Sequence, residues 1–167
     1  MNIRKANIGD LQRILELRDL ARSIMRSDGN LHQWSEGYPR EEKFRKDITD
    51  GNSYVMEANG TIFATFAFIP GPDPTYSIIY DGQWLNEALP YYVIHRIAST
   101  PESHDVMESM LRFCFSHTKN IRIDTHHNNS IMRYLLRKYG FAECGIIHIE
   151  NGDERLAYQK ITDIPQL

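Results

Sequence analysis

The fold is decided by residues 95 to 141, which begin HRIAS (95–99), continue IRIDTHHNN (121–129) and end KYGF (138–141). β-Branched and aromatic residues predict strands over 91–99 and 121–125. Helices are predicted over 106–117 and 130–139, the second with a repeating apolar face. Gly140 is placed to end that helix in the left-handed conformation. The stretch is therefore predicted to form a strand–helix–strand–helix unit.

The N-terminal third is predicted to supply one strand and two helices. A short strand over 2–6 precedes Asn7 and Asp10, whose spacing resembles a capping box. Apolar residues then recur at helical spacing from Leu11 to about residue 27. Pro39 suits the first turn of a second, short helix, which Gly51 would close.

The other segments are predicted to form strands. Asn59-Gly60 is a strong hairpin signal between strands over 53–58 and 61–69. A further strand is predicted over 75–80, followed by an irregular stretch to residue 90. A terminal hairpin is predicted over 141–149 and 155–161. Strands before, between and after helices predict a mixed α/β sheet, in a single domain spanning residues 1–167.

Composition narrows the function classes. The chain has 167 residues, 41% hydrophobic and 25% charged, with a net charge of −3. Its cations are scattered rather than arranged in a basic stripe, which argues against a nucleic-acid partner. No apolar stretch is long enough to span a bilayer, and no signal peptide is indicated, so a cytoplasmic protein is expected. Cys114 and Cys144 have no metal-type spacing, and no metal site is expected.

The element order and three local matches resemble the GNAT acetyltransferases over nearly the full chain. The matches are the opening Ile3-Arg4-Lys5-Ala6, the strand HRIAS at 95–99, and the Asp124-Thr125-His126 to Gly140-Phe141 segment. The resemblance implies a mixed, mostly antiparallel central sheet flanked by helices. It also implies an acetyl-CoA co-substrate and a small-molecule or peptide amine as the acceptor.

In this family the central strand offers main-chain groups to the pantetheine arm, and a glycine-containing loop at a helix start holds the pyrophosphate. Here Glu102, Asp105 and Met107 stand at the three signature positions of that loop, so no signature residue is kept. The carboxylates would repel a pyrophosphate, and the side chains of Asp105 and Met107 would crowd it. The resemblance implies that the coenzyme-binding residues are Ile97, Ala98, Ser99, Ser103, His104, Asp105, Val106, Met107, Glu108, Asn129 and Met132.

Three residues are candidates for the catalytic groups. His126 ends a predicted strand, where open α/β sheets place ligands, and an imidazole suits proton transfer; it could instead cap the following helix. The family's usual helix tyrosine is replaced by Leu136, and Tyr134 is a candidate substitute. Glu57 could be a base by analogy with the family.

Four residues are candidates for the acceptor site. Trp34 and Tyr38 match the loop from which this family builds its acceptor pocket, as pocket wall or hydrophobic lid. His95 could face the cleft or be a core histidine, and Tyr158 could reach the cleft or pack within its strand. The sequence leaves open a GNAT-fold ligand-binding protein with weakened or lost acyl-CoA binding, and also the oligomeric state, a homo-oligomer included.

Overall fold

The computed structural model describes residues 1–162 and contains seven strands and four helices. The strands are β1 (Asn2–Lys5), β2 (Ser53–Ala58), β3 (Thr61–Pro70), β4 (Tyr92–Ser99), β5 (Asn120–Thr125), β6 (Ala142–His148) and β7 (Glu154–Ile161). The helices are α1 (Leu11–Ser27), α2 (Glu41–Thr49), α3 (Val106–Phe115) and α4 (Ser130–Lys138). None of these four helices combines the length and the apolar character that crossing a bilayer requires.

All seven strands form one sheet, in the order β1-β2-β3-β4-β5-β7-β6. Only the β4–β5 pair at its centre is parallel; the other five pairs are antiparallel. The predicted mixed, mostly antiparallel sheet is thereby confirmed.

Local capping signals in the sequence explain where the helices begin and end. Asn7 and Asp10 form the predicted capping box: the Asn7 side chain accepts from the Gly9 amide at 2.9 Å, and Asp10 accepts from the Asn7 amide at 2.8 Å. Gly140, with φ of +81°, follows α4 in the predicted left-handed conformation. The predicted hairpin turn is formed by Asn59 and Gly60, both with positive φ, as a type I′ turn requires.

The sheet is covered on both faces. One face packs on α3 and α4 through a core that joins Ile94, Ile121 and Tyr158 to Met110 and Leu136. The other face is covered by α1, α2 and the segment from residue 71 to residue 91, through three further clusters. Functional side chains on β4, β5 and β7 can therefore only be reached where these layers separate.

The strand predicted over residues 75–80 is wrong. Pro74–Tyr76 forms a 3₁₀ turn, and Tyr80 makes only an isolated bridge to Ile146. The turn forms because Asp73 caps it, accepting from the Thr75 amide at 2.9 Å, and because Pro74 fits the first helical position. Tyr76 is consequently directed under the sheet rather than along a strand, and it is almost fully buried.

Candidate active site

The central feature of the site is a divergence of two parallel strands. β4 and β5 pair only at Tyr92–Ile121 and Val93–Arg122, although both strands continue well beyond these residues. On its other side β4 stays paired with β3 as far as Ser99. The edge of β4 from residue 94 to residue 99 therefore lacks ladder partners from β5, and its backbone groups are open to a ligand.

A bulge in β4 lies within this open edge. Arg96 has φ of +52°, and Arg96 and Ile97 together oppose the single residue Phe66 on β3. The Arg96 guanidinium donates to both carboxylate oxygens of Asp47, at 2.7 and 2.8 Å. This ion pair ties α2 to the bulge, which redirects the residues that follow it.

Beyond the bulge lies a cavity of about 190 Å³ with a mainly apolar wall, which we name the apolar cavity. It is lined by Ala21, Ile24, Met25, Asp28, Asn30, Ile97, Ala98, Ser99, Val106, Met107, Asn128, Asn129, Ser130, Ile131, Met132 and Leu135. Seven of the residues predicted to bind a coenzyme are in this wall: Ile97, Ala98, Ser99, Val106, Met107, Asn129 and Met132. The other four, Ser103, His104, Asp105 and Glu108, lie around the start of α3.

The loop before α3 contains no glycine, although one of its residues adopts a backbone conformation that favours glycine. Asp105 lies at the N-cap of α3 with φ of +57°, and its side chain makes no capping hydrogen bond. The first amide groups of a helix have no intrahelical acceptor, so they face the loop. Met107 is packed into the core, with only 8% of its surface exposed. Of Asp105 and Met107, which stand where the family has small residues, Asp105 is therefore the one whose side chain is in the loop.

Gln33 connects the loop after α1 to the end of β5, a role that the sequence did not indicate. Its Oε1 accepts from the Asn129 side chain at 2.9 Å, and also from Asn30, Thr125 and the His126 amide. Asn129 in turn caps α4 by accepting from the Met132 amide at 3.0 Å. Asn129 is thus fixed at the mouth of the cleft by contacts on both of its polar atoms.

A second cavity, of about 460 Å³, lies on the α2 side of the bulge, and we name it the charged cavity. Its wall includes Trp34, Tyr38 and His95, three of the four residues predicted for the acceptor site. The charged and apolar cavities share four lining residues: Met25, Ile97, Asn129 and Met132. The two cavities therefore meet where β4 leaves β5.

Two carboxylates flank an imidazole in the wall of the charged cavity. The Nε2 atom of His95 lies 3.0 Å from Oδ2 of Asp73, and its Nδ1 atom lies 3.6 Å from Oδ1 of Asp124. The Tyr76 hydroxyl donates to the same Asp124 oxygen at 2.6 Å. The cluster combines a histidine from β4, an aspartate from β5 and the loop that forms the 3₁₀ turn.

Two groups of the cluster have shifted pKa values. Burial raises the pKa of Asp73. The hydrogen bonds from His95 and Thr75 lower it by more than burial raises it, so the resulting pKa is about 2. Burial, reinforced by Asp124, raises the pKa of Tyr76 well above its ordinary value. At neutral pH Asp73 is therefore ionised, and Tyr76 is a protonated donor.

All three catalytic candidates from the sequence, His126, Tyr134 and Glu57, lie outside both cavities. His126 is buried, and its Nδ1 accepts from the Asn128 amide at 3.1 Å. Burial, and after it the neighbouring His127 and Arg155 side chains, lower the pKa of His126 to about 4, so the ring is neutral at pH 7. Glu57 pairs with Arg4 at 3.0 Å, beside β1 at the far edge of the sheet, and Tyr134 is 63% exposed on α4.

Two further residues from the sequence analysis belong to the core. Tyr158, the fourth residue predicted for the acceptor site, is fully buried, and its hydroxyl donates to Glu143 at 3.3 Å. Leu136, at the position of the family's helix tyrosine, is also fully buried. Asp73, Tyr76, Gln33 and Arg155, the last also in the wall of the charged cavity, are residues that the sequence did not single out. Asp73 has a local signal, since it precedes Pro74 as the cap of the 3₁₀ turn, but only the tertiary structure brings the four residues into one region.

Comparison with solved structures identifies the fold. An acetyltransferase of the GNAT family from Streptococcus agalactiae is 30% identical, with a TM-score of 0.88 over 98% of this chain and 96% of that one. A ribosomal-protein-alanine N-acetyltransferase from Brucella melitensis shares the fold at 16% identity, with a TM-score of 0.63 over 97% of this chain and 100% of that one.

The fold also matches a chain of the NatC complex bound to Gag peptide and CoA. The TM-score is 0.61 at 11% identity, over 96% of this chain and 98% of that one. No family model and no curated protein matches the sequence. The extent and identity of the Streptococcus agalactiae match, together with the shared architecture, show that this chain belongs to the GNAT family of acetyltransferases.

Proposed function

We propose that the protein transfers the acetyl group of acetyl-CoA to a primary amine, by direct attack within a ternary complex. The observation that carries this proposal is the meeting of the two cavities at the open edge of β4. The apolar cavity runs along the unpaired backbone of β4, and the charged cavity presents the His95 imidazole between the carboxylates of Asp73 and Asp124. A thioester placed at the junction would face an amine held in the charged cavity.

The apolar cavity and the loop before α3 fit the coenzyme in chemical character. The open backbone of Ile97, Ala98 and Ser99 can pair with the amides of a pantetheine arm. The first turn of α3 presents amide groups and the positive end of a helix dipole toward a pyrophosphate. The co-substrate supplies an activated acyl group, and a CoA-bound neighbour of the same fold supports its use here.

The charged cavity fits an amine. Asp73 and Asp124 favour binding of the ammonium form, and an amine of the lysine type must lose a proton before it attacks, since its pKa is about 10.4. Nε2 of His95 lies 3.0 Å from the ionised carboxylate of Asp73, to which it can donate; in that tautomer of the neutral ring, Nδ1 is the nitrogen that can accept a proton. We assign the general base to His95, in place of His126, Tyr134 or Glu57.

The chain requires no side-chain acid for the departing thiol. With a leucine buried at the position of the family's tyrosine, the leaving group would depart as a thiolate, whose conjugate acid has a pKa near 8.5. Catalysis would then rest mainly on positioning and on removal of the amine proton.

We propose that the protein acts in the cytoplasm.

Release of free CoA thiol tests the proposal. The purified protein is incubated with acetyl-CoA and a panel of primary amines that includes amino acids, amino sugars, polyamines and peptides, and thiol release is followed over time. Release that depends on both the amine and the protein, with the acetylated amine identified by mass spectrometry, is the expected result. Absence of release with every amine class, at millimolar acetyl-CoA, would contradict the proposal.

A second function, binding of a small ligand without acyl transfer, is favoured by one observation. Asp105 places a carboxylate at the start of α3, where a pyrophosphate would have to lie. In that case the charged cavity would keep its ligand while acetyl-CoA would not bind. Direct titration with acetyl-CoA separates the two functions.

A further inference from the structure

We propose that the acceptor carries an anionic group, a carboxylate in the simplest case, in addition to its amine, and that Arg155 binds this group. The inference rests on the proposed function, because it names the class of amine that the charged cavity would accept. It is carried by the burial of Arg155 and by the absence of a carboxylate partner for it among residues 1–162.

Arg155 is only 4% exposed, yet it lines the charged cavity. Its Nη1 donates to the Glu154 carbonyl at 3.0 Å, and its Nη2 donates to the Gln33 carbonyl at 3.3 Å. A guanidinium has five N–H groups, so these two bonds leave several for a ligand. Neutral carbonyls also leave its positive charge uncompensated in a buried position, which is costly.

The other long cationic side chains of the cavity wall are already paired. Arg96 is held by both oxygens of Asp47, Lys46 pairs with Asp50, and Lys43 lies 3.5 Å from Glu150. Within the part of the chain that the structure describes, Arg155 has no carboxylate within ion-pairing distance. It is therefore the cation best able to take an anionic group from a ligand.

The register of the sheet places Arg155 close to the amine site. Asp124 on β5 is directly opposite Ala157 on β7, and Arg155 lies two residues from Ala157, on the same face of the sheet. Diagonal neighbours of this kind are about 7–8 Å apart. An ammonium at Asp124 and an anion at Arg155 can thus belong to one small molecule whose charges are a few bonds apart.

Matched acids and esters test the inference. For each amino acid in a panel (the common α-amino acids, β-alanine and γ-aminobutyrate), thiol release is compared with that from its methyl ester, which keeps the amine and removes the negative charge. We expect the best acid to exceed its ester by about tenfold or more in kcat/KM, because a charge-assisted hydrogen bond to the guanidinium is lost in the ester.

Arg155→Met and Arg155→Lys provide the matched variants. Arg155→Met keeps an apolar stem without charge, and it should reduce the acid-to-ester ratio to about one, mainly through KM. Arg155→Lys keeps the charge and should restore part of the ratio. The unfolding midpoints of both variants verify that they are folded. If the acid-to-ester ratio of kcat/KM falls only in a variant that is unfolded, the inference is overturned.

Failure of the inference and failure of the proposed function give different results. Equal turnover of acids and esters would overturn the role of Arg155 while supporting amine acetylation. If no amine is turned over, saturation-transfer NMR of the same acid–ester pairs still tests the role of Arg155, because it measures binding and needs no catalysis. Binding of acids over esters that is lost in Arg155→Met would support the inference, and equal binding, or none, would overturn it.

Discussion

The two halves of the cleft are built in contrasting ways. The apolar cavity lies along the backbone at the end of β4, the starts of α3 and α4, and the end of α1. The wall of the charged cavity also contains consecutive residues, such as 72–75 and 93–97, but its polar groups come from separate elements and include Gln33, Asp73, His95, Asp124 and Arg155. A cavity made from consecutive backbone suits a ligand that many related proteins share, whereas one made from separate side chains can change with each acceptor.

The largest effect expected from this comparison is on the chemistry in the charged cavity. His95→Gln should lower kcat for acetyl transfer by roughly 10²- to 10³-fold, because it removes the proposed base. The dissociation constant for acetyl-CoA should be unchanged, since His95 does not line the apolar cavity. Initial rates and calorimetric titration measure the two quantities.

His126→Gln is the matched control for that variant. His126 lies outside both cavities and is neutral at pH 7, so its replacement should leave kcat within a few-fold of the wild type. A large loss with His126→Gln and none with His95→Gln would reverse the assignment and restore the base predicted from the sequence.

The next largest effect concerns the support of the bulge between the two cavities. Asp47→Ala would leave the partly buried Arg96 side chain, 15% exposed, without its carboxylate and should lower the free energy of unfolding by roughly 3 kcal/mol. Chemical denaturation measures this loss. Glu16→Ala, which removes an exposed i,i+3 partner of Arg13, should cost about 0.5 kcal/mol or less. Similar losses for both variants would contradict a structural role for the Arg96–Asp47 pair.

Acid unfolding examines the carboxylate that orients His95. The pKa of Asp73 is lowered to about 2, so its contribution is present above the unfolded-state pKa of about 3.9 and is lost as the pH falls through 2. Between pH 5 and pH 2 the wild type should lose roughly 2 kcal/mol more unfolding free energy than Asp73→Asn. The exposed Asp19→Asn should behave like the wild type, and equal pH dependence in all three proteins would refute the lowered pKa.

The smallest effect is expected in the loop before α3. Asp105→Gly should tighten acetyl-CoA binding by about fivefold, or roughly 1 kcal/mol, because it removes a carboxylate at a position whose φ of +57° suits glycine. Asp105→Asn removes the charge but keeps the size of the side chain, so it separates repulsion from crowding. Calorimetry measures both variants, and unchanged or weaker binding in both would remove the argument that Asp105 hinders the coenzyme.

The predictability of each region follows from how local its signals are. The ends of α1 and α4 and the Asn59-Gly60 turn depend on contacts within a few residues, and the structure confirms them. Residues 75–80 are predicted as a strand, although Asp73 and Pro74 ahead of them carry the local cap signal of a 3₁₀ turn. The burial of Tyr76 depends on distant Asp124 and leaves no local signal.

The charged cavity depends on still longer-range contacts. Asp73 and His95 are 22 positions apart, and Gln33 bonds to residues more than 90 positions away. Such contacts leave no periodic pattern in a sequence. His126 directly follows β5, at a position typical of ligand sites, but its ring accepts from the Asn128 amide and lines neither cavity.

Calorimetric titration with acetyl-CoA determines whether the divergence of β4 and β5 is a working coenzyme site. Dephospho-CoA and a desulfo analogue serve as controls for the two ends of the molecule. We expect micromolar binding that depends on the pantetheine arm and is unaffected by His95→Gln. No binding at millimolar acetyl-CoA would contradict it and would favour a GNAT-fold protein that binds only a small ligand in the charged cavity.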